Sequence, residues 1–261
     1  MGEIPDSHPR RTSLLARQNL VNAAAEGLLA DSAMIAHGRG EAFDYLLGEA
    51  TSESAMSAIR EASARLLSAE HPVISVNGNT VVLAGENLIR VAAVVGCPIE
   101  VNLYYRTPER VSGLLGRLSE QRDAVAAEAA PQGWSGDWGD AVESVALLGE
   151  AADHGIPGLE GPRAKCCWDG IGCADVVLVP LEDGDRCEAL IAAGKQVLVI
   201  DLNPLSRTSM TATVTIVDEV SRASSKLLGQ VVEGGHESGQ WDNTAALNAA
   251  LDIISDASVE A

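Results

Sequence analysis

Aromatic side chains make up only 3% of this 261-residue chain, with a single Phe, and lysine occurs just three times, at Lys165, Lys195 and Lys226. Basic charge is left to scattered arginines and short arginine pairs. That argues against a nucleic-acid partner, because neutralising a phosphate backbone takes a basic stripe or patch. No apolar run reaches the roughly 18 to 20 residues that span a bilayer, so no membrane partner is expected. The opening MGEIPDSHPRR lacks the apolar core of a signal sequence, and the expected location is the cytoplasm. Cysteines are few and odd in number: Cys97, Cys166, Cys167, Cys173 and Cys187, with no C-x-x-C pair. A disulfide framework is therefore not expected. Cys166, Cys167 and Cys173 with His154 have the ligand types of a zinc site but sit in an irregular loop, so ordinary free thiols are the simpler reading.

The common nucleotide and hydrolase signatures are missing too. Gly194-Lys195 has no glycine five positions before it, where Ala189 stands, so there is no Walker loop. No G-x-G-x-x-G follows a strand, and no G-x-S-x-G elbow occurs. A nucleotide, if bound, is held in a less common way.

What is present is acid. Against 18 Lys plus Arg stand 37 Asp plus Glu, a formal charge of −19, spread along the chain rather than gathered in a tail. Dispersed acid with scarce lysine reads as adaptation to a high-salt cytoplasm, where a Debye length of about 3 Å at molar salt makes self-repulsion tolerable. With 46% apolar residues and mean hydropathy +0.10, the chain can bury a sizeable core, which excludes disorder over its length.

Periodicity alternates helices with short β-branched runs. Helices are expected over 12–30, 51–68, 86–95, 107–121, 186–193, 219–230 and 243–255, and strands over 72–76, 98–104, 143–149, 174–180, 196–201 and 213–218. Residues 123–140, including GWSGDWGD, and the stretch from 150 to 173 read as irregular connections. Val/Ile/Leu strands separated by helices predict an α/β fold. Its expected form is a Rossmann-like open, mainly parallel sheet with helices on both faces. One domain over 1–261 is expected, with a helical N-terminal region (1–70), a sheet core (71–218) and C-terminal helices (219–261).

In such a sheet, ligands bind outside the carboxyl ends of the strands. The residues expected there are Asn77-Gly78-Asn79, Tyr105-Arg106-Thr107, Glu182 to Arg186, Asp201-Leu202-Asn203 and Asp218. In LVPLEDGDR, Asp183-Gly184-Asp185 bring two carboxylates to a strand-to-helix turn. They suit a magnesium ion, and the exposed helix amides suit a phosphate; an ordinary turn with Asp185 as helix cap is the plainer alternative. In HGRGEAFDY, Arg39 lies between Gly38 and Gly40, as a loop presenting a guanidinium to an anion would have it. Arg17 adds a second positive group. His37 offers either an acid or base or a turn-stabilising side chain.

Together SHPRRTSLLAR (7–17), MIAHGRGEAFDYLLGE (34–49), HPVISVNGNTVVL (71–83), EVNLYYRTPERV (100–111), IPGLE (156–160), ADVVLVPLEDGDR (174–186) and DLNPLSR (201–207) resemble the archaeal phosphopantothenate synthetase family, in a haloarchaeal-type form. These enzymes are 4-phosphopantoate–β-alanine ligases of coenzyme A biosynthesis. The resemblance covers about residues 4 to 223, leaving out 123–152. It implies ATP-dependent joining of 4-phosphopantoate to β-alanine, release of AMP and diphosphate through an acyl-adenylate, and a homodimer. It further implies that ATP, with Mg²⁺ carried on it, meets Arg17, Arg39, Asp183, Gly184, Asp185, Ala189 and Leu190 at the following helix start, and Asp201, Leu202 and Asn203. Arg39, Asp183 and Asp185 are the residues expected to act in catalysis. His37, Asn77, Asn79, Arg106 and Arg207 are expected to meet substrate, the arginines as phosphate partners. Asp44, His37 and Glu182 are the candidate general bases. A small-acid kinase, or a nucleotide-binding module without catalysis, is the competing class; a kinase would release ADP where the ligase releases AMP.

Overall fold

The computed structural model of the chain describes residues 4–257; residues 1–3 and 258–261, the ends of the expected single domain, lie outside the described part. Six strands form one wholly parallel sheet: β1 (Pro72–Val76), β2 (Ile99–Val101), β3 (Leu147–Leu148), β6 (Val176–Pro180), β7 (Gln196–Ile200) and β8 (Val214–Ile216), in the order β3-β2-β1-β6-β7-β8. Two-residue segments β4 (His154–Gly155) and β5 (Lys165–Cys166) pair antiparallel apart from it. From β1 the chain works outward to β3, and from β6 outward to β8. The sheet is therefore doubly wound, with its topological switch point between β1 and β6.

The strands are apolar on both faces because both faces are covered. Ile74, Val76, Leu178, Leu198 and Ile200 turn to one side. There they meet α3 (Glu53–Ser68), α4 (Gly78–Val95), α5 (Pro108–Ala126) and α9 (Val220–Glu233). Val73, Val177, Val179, Val197 and Val199 alternate to the other side, against α7 (Gly184–Ala192) and residues Ile156 and Ile171 of the long loop. Period two on each strand with no polar face is the signature of a parallel sheet buried on both sides.

Several boundaries differ from the expected ones. Helix α4 begins at Gly78, not residue 86, because the Asn77 side chain accepts the Thr80 amide at 3.1 Å and caps it. The run Thr80-Val81-Val82 has weak helix propensity, and burial against α5 and α9 overrides it. By length and composition α4 could cross a membrane, yet most of it is buried in this core. It stops at Gly96, whose φ of +76° is the left-handed close a glycine permits. Thr107 caps α5 with Pro108 as its first residue, as expected. The strand expected over 98–104 ends at Val101. A short helix, α6 (Trp138–Glu143), lies inside the segment expected to be irregular; Trp134 and Trp138 stack edge to face at 5.6 Å, and Trp138 Nε1 donates to the Val125 carbonyl of α5.

The loop before β6 is held from the sheet. Glu100 on β2, fully buried, accepts the amides of Cys167 at 2.9 Å and Ile171 at 2.8 Å. Burial pushes its carboxyl up, and those amides pull it back. A side chain at Gly170 would collide with this carboxylate, which explains a glycine there. Among the described residues no group of three His, Cys, Asp or Glu side chains that could hold a metal ion forms. Burial pushes the Cys97, Cys166 and Cys187 thiols up to about 12, so they stay protonated.

Ahead of the sheet lie α1 (Arg11–Ala25) and α2 (Asp31–Leu46). Residues 37–45, expected as a glycine-flanked loop, form the middle of α2. Two glycines cost a helix roughly 2 kcal/mol together. The flanking Met34, Phe43 and Leu47, each partly or fully buried in apolar clusters, offset that. After α8 (Arg207–Thr211) and β8, the chain closes with α9 and α10 (Asn243–Asp256).

Candidate active site

A cleft of about 540 Å³ opens at the switch point, where the doubly wound fold leaves room for a ligand. Its floor is the carboxyl ends of β1, β2, β6 and β7, contributing Asn77 and Asn79, Asn102, Glu182 and Asp183, and Leu202. Helix α2 closes it from above with His37, Arg39, Glu41 and Asp44, and α5 adds Arg110.

At the switch point Leu181 adopts φ +58°, a left-handed conformation costing a leucine about 1–3 kcal/mol. Asn77 holds it there: its Nδ2 donates to the Leu181 carbonyl at 2.8 Å while its Oδ1 caps α4. The strained turn aims Glu182 and Asp183 into the cleft. The helix cap is Asp183, not Asp185: its Oδ1 accepts the Arg186 amide at 3.0 Å. Burial pushes the Glu182 carboxyl up to about 7, against the pull of the Arg186 guanidinium 3.2 Å away.

The arginines divide into paired and unpaired. Arg17 lies on Glu41 at 2.8 Å and outside the cleft lining. Arg207 bridges Asp185 and Glu188, each at 2.8 Å. Arg106 donates to the Gly149 carbonyl. Arg222 of α9 clamps Asp44 at 2.6 Å and the fully buried Asp218 at 2.5 Å, tying α2 to the end of β8. Among the described residues Arg39 and Arg110 form no ion pair, and both line the cleft, although Arg110 donates through Nη1 to the Tyr105 carbonyl at 2.6 Å.

The other expected residues are sorted by the fold. Asp185 stands outside the cleft between Arg163 and Arg207, whose hydrogen bonds hold its carboxyl below the usual range, Arg163 first. Gly184 packs its Cα against the Arg207 side chain. Ala189 and Leu190 are farther along α7 with side chains in the core. Asp201 is half-buried and outside the cleft lining, accepting the Ser206 hydroxyl at 2.5 Å and the Asn203 amide at 2.9 Å; Leu202 lines the cleft and Asn203 does not. His37 is half-buried, its imidazole shifted down by desolvation, and among the described residues its Nε2 has no partner.

Sequence reasoning missed Asn102, Arg110 and Glu219. Asn102 was hidden by the overlong strand, which moved the expected edge to Tyr105. Unpartnered polar atoms gather in this cleft: His37 Nε2, Asn79 Oδ1, Asn102 Oδ1 and Arg110 Nε. Each buried group left without a partner costs about 1–3 kcal/mol, which a ligand would relieve.

The chain is similar in sequence to known proteins. The family model described as phosphopantothenate/pantothenate synthetase matches residues 54–257. A protein of Thermococcus kodakarensis named 4-phosphopantoate–β-alanine ligase is 42% identical over 98% of this chain and 94% of its own length. Proteins of the same name are 48% identical in Methanospirillum hungatei, covering 84% of this chain and 81% of theirs, and 47% identical in Methanosarcina mazei, covering 85% and 79%. A doubly wound sheet, a cleft at its switch point set with asparagines, arginines and carboxylates, and a match over most of the chain converge: this protein belongs to the phosphopantothenate/pantothenate synthetase family.

Proposed function

We propose that this protein joins 4-phosphopantoate to β-alanine at the expense of ATP, giving 4′-phosphopantothenate, AMP and diphosphate in coenzyme A biosynthesis. The observation that carries the reading is that two arginines of the cleft, Arg39 on α2 and Arg110 on α5, have no carboxylate partner among the described residues and are left to offset the charge of two phosphorylated substrates that repel each other. Arg39, facing the β6–β7 side, serves the triphosphate, and Arg110 serves the phosphate of 4-phosphopantoate. The carboxylate oxygen of 4-phosphopantoate attacks the α-phosphorus in line and diphosphate leaves. The amine of β-alanine then attacks the acyl carbon and AMP leaves, two protons departing from nitrogen. Positioning supplies much of the rate, with no covalent enzyme residue required.

Asp183 suits a magnesium ion that keeps most of its oxygen ligands from the triphosphate and water. When bound, the ion neutralises charge on the phosphates. Glu182 is the group we assign to accept a proton from the ammonium. Its carboxyl, raised to about 7, is neutral below that pH and able to accept a proton above it. The amide-forming step should therefore speed up as pH rises through 7, and Glu182→Gln should remove that limb. A pH profile of single-turnover amide formation checks this; an unchanged limb in the variant would reassign the base to His37.

The dispersed acid is read as a high-salt adaptation of a cytoplasmic protein. Activity should rise about tenfold or more from salt-free buffer to molar KCl as repulsion of the anionic substrates is screened. Full activity without salt would contradict it. The homodimer finds support in the exposed apolar Val21, Ile35, Tyr45 and Leu46 of α1 and α2; sedimentation at molar KCl measures it.

The reaction itself is tested by chromatography of nucleotides after incubation with ATP, 4-phosphopantoate and β-alanine, omitting each in turn. AMP that requires both substrates, with a product of the condensed mass, supports the ligase. ADP would indicate a kinase, and no turnover by folded protein a binding module.

A further inference from the structure

Two of the unpartnered atoms in the cleft are chemically alike. Asn79 and Asn102 are both more than nine-tenths buried, at the carboxyl ends of the adjacent strands β1 and β2. Each amide is fixed by its nitrogen: Asn79 Nδ2 donates to the Ala33 carbonyl at 3.0 Å, and Asn102 Nδ2 to the Ser75 hydroxyl at 3.1 Å. Those bonds set the amide orientation and leave the two Oδ1 atoms as buried acceptors without donors among the described residues. Both residues line the cleft at the ends of β1 and β2, whereas the charge of Arg39 acts on Asp201 at the end of β7.

We propose that the side-chain oxygens of Asn79 and Asn102 receive the ammonium group of β-alanine, making these two residues the amine-specifying elements of the site. Two acceptors call for a group with several N–H donors, and of the groups in the reaction's two acyl-transfer substrates only the ammonium has them; the pantoate hydroxyl offers one. Neutral oxygens suit the chemistry. A carboxylate would favour the charged ammonium over the free amine, whereas an amide oxygen accepts from either form. The amine can thus be held while it loses the proton that prevents attack, with Glu182 lining the same cleft to take it.

This inference rests on the ligase reading, and its test separates the two. In Asn79→Ala and Asn102→Ala, KM for β-alanine should rise about tenfold or more, with KM for ATP and 4-phosphopantoate within about threefold. Exchange of labelled diphosphate into ATP, which depends on 4-phosphopantoate and needs no amine, should persist in both. A rise in KM for 4-phosphopantoate together with lost exchange would overturn the inference, since the asparagines would then hold the acid. Wild-type protein without such exchange and without AMP formation would overturn the ligase reading instead. A second measurement needs no variant. N-methyl-β-alanine, with two N–H donors as its ammonium, should inhibit about tenfold more strongly than N,N-dimethyl-β-alanine, with one; equal inhibition would contradict paired acceptors.

Discussion

Arg39→Ala should lower kcat/KM for ATP by about 10²–10³-fold, the loss expected when one charge-stabilising donor is removed from a developing anion, while the unfolding midpoint barely moves. The two halves of that result have one cause. Arg39 is exposed on the cleft side of α2 and, among the described residues, forms no ion pair. Its removal therefore breaks nothing in the resting fold, and surface substitutions of this kind usually stay within about 0.5 kcal/mol. Arg17 is the control, because it already lies against Glu41 and must leave that carboxylate to reach a ligand. Steady-state kinetics with a melting curve for each variant checks the pair. A loss of stability without a change in kcat/KM would make Arg39 structural.

Arg222→Ala should cost about 3–5 kcal/mol of folding stability, the range for removing one partner of a buried ion pair. Asp218 has no exposed side-chain surface, and Arg222 lies 2.5 Å from it. Without the guanidinium its charge keeps only the Thr51 hydroxyl at 2.7 Å and the Glu219 amide at 2.8 Å. For a chain of this size that corresponds to a fall of roughly 10 °C in Tm. Adding Asp218→Asn to the variant should recover part of the loss, since the stranded charge is then gone. A fall below about 1 kcal/mol would mean that water reaches Asp218 and screens it. The same arginine holds Asp44 of α2 at 2.6 Å. Activity should therefore drop beyond what unfolding explains, through loosening of the helix that carries Arg39.

The sheet was legible because its strands are short, β-branched and closed by turn residues, and the rule that ligands gather at carboxyl ends led directly to Asn77, Asn79, Glu182, Asp183 and Leu202. Local pattern failed where tertiary packing decides. Gly38 and Gly40 read as a loop, but the apolar residues around them hold a helix. Three residues of assumed strand after Val101 moved attention from Asn102 to Arg106, which is occupied with the Gly149 carbonyl. The pairing state of each arginine was not readable either. Arg17 meets Glu41 from 24 residues away, and Arg222 meets Asp44 from 178, distances over which sequence carries no local signal. Arg110 and Arg106 each donate to a backbone carbonyl, and only the cleft distinguishes them.

In the proposed reaction a carboxylate oxygen of the acid attacks the α-phosphorus of ATP at this cleft. The most direct measurement is to supply 4-phosphopantoate labelled with ¹⁸O in its carboxylate, together with ATP and β-alanine, and to weigh the nucleotide product. Attack at the α-phosphorus leaves that oxygen on phosphorus when the amine displaces it, so the account predicts AMP carrying one ¹⁸O and unlabelled diphosphate. Label in inorganic phosphate, with ADP as the nucleotide, would mean attack at the γ-phosphorus and would contradict it.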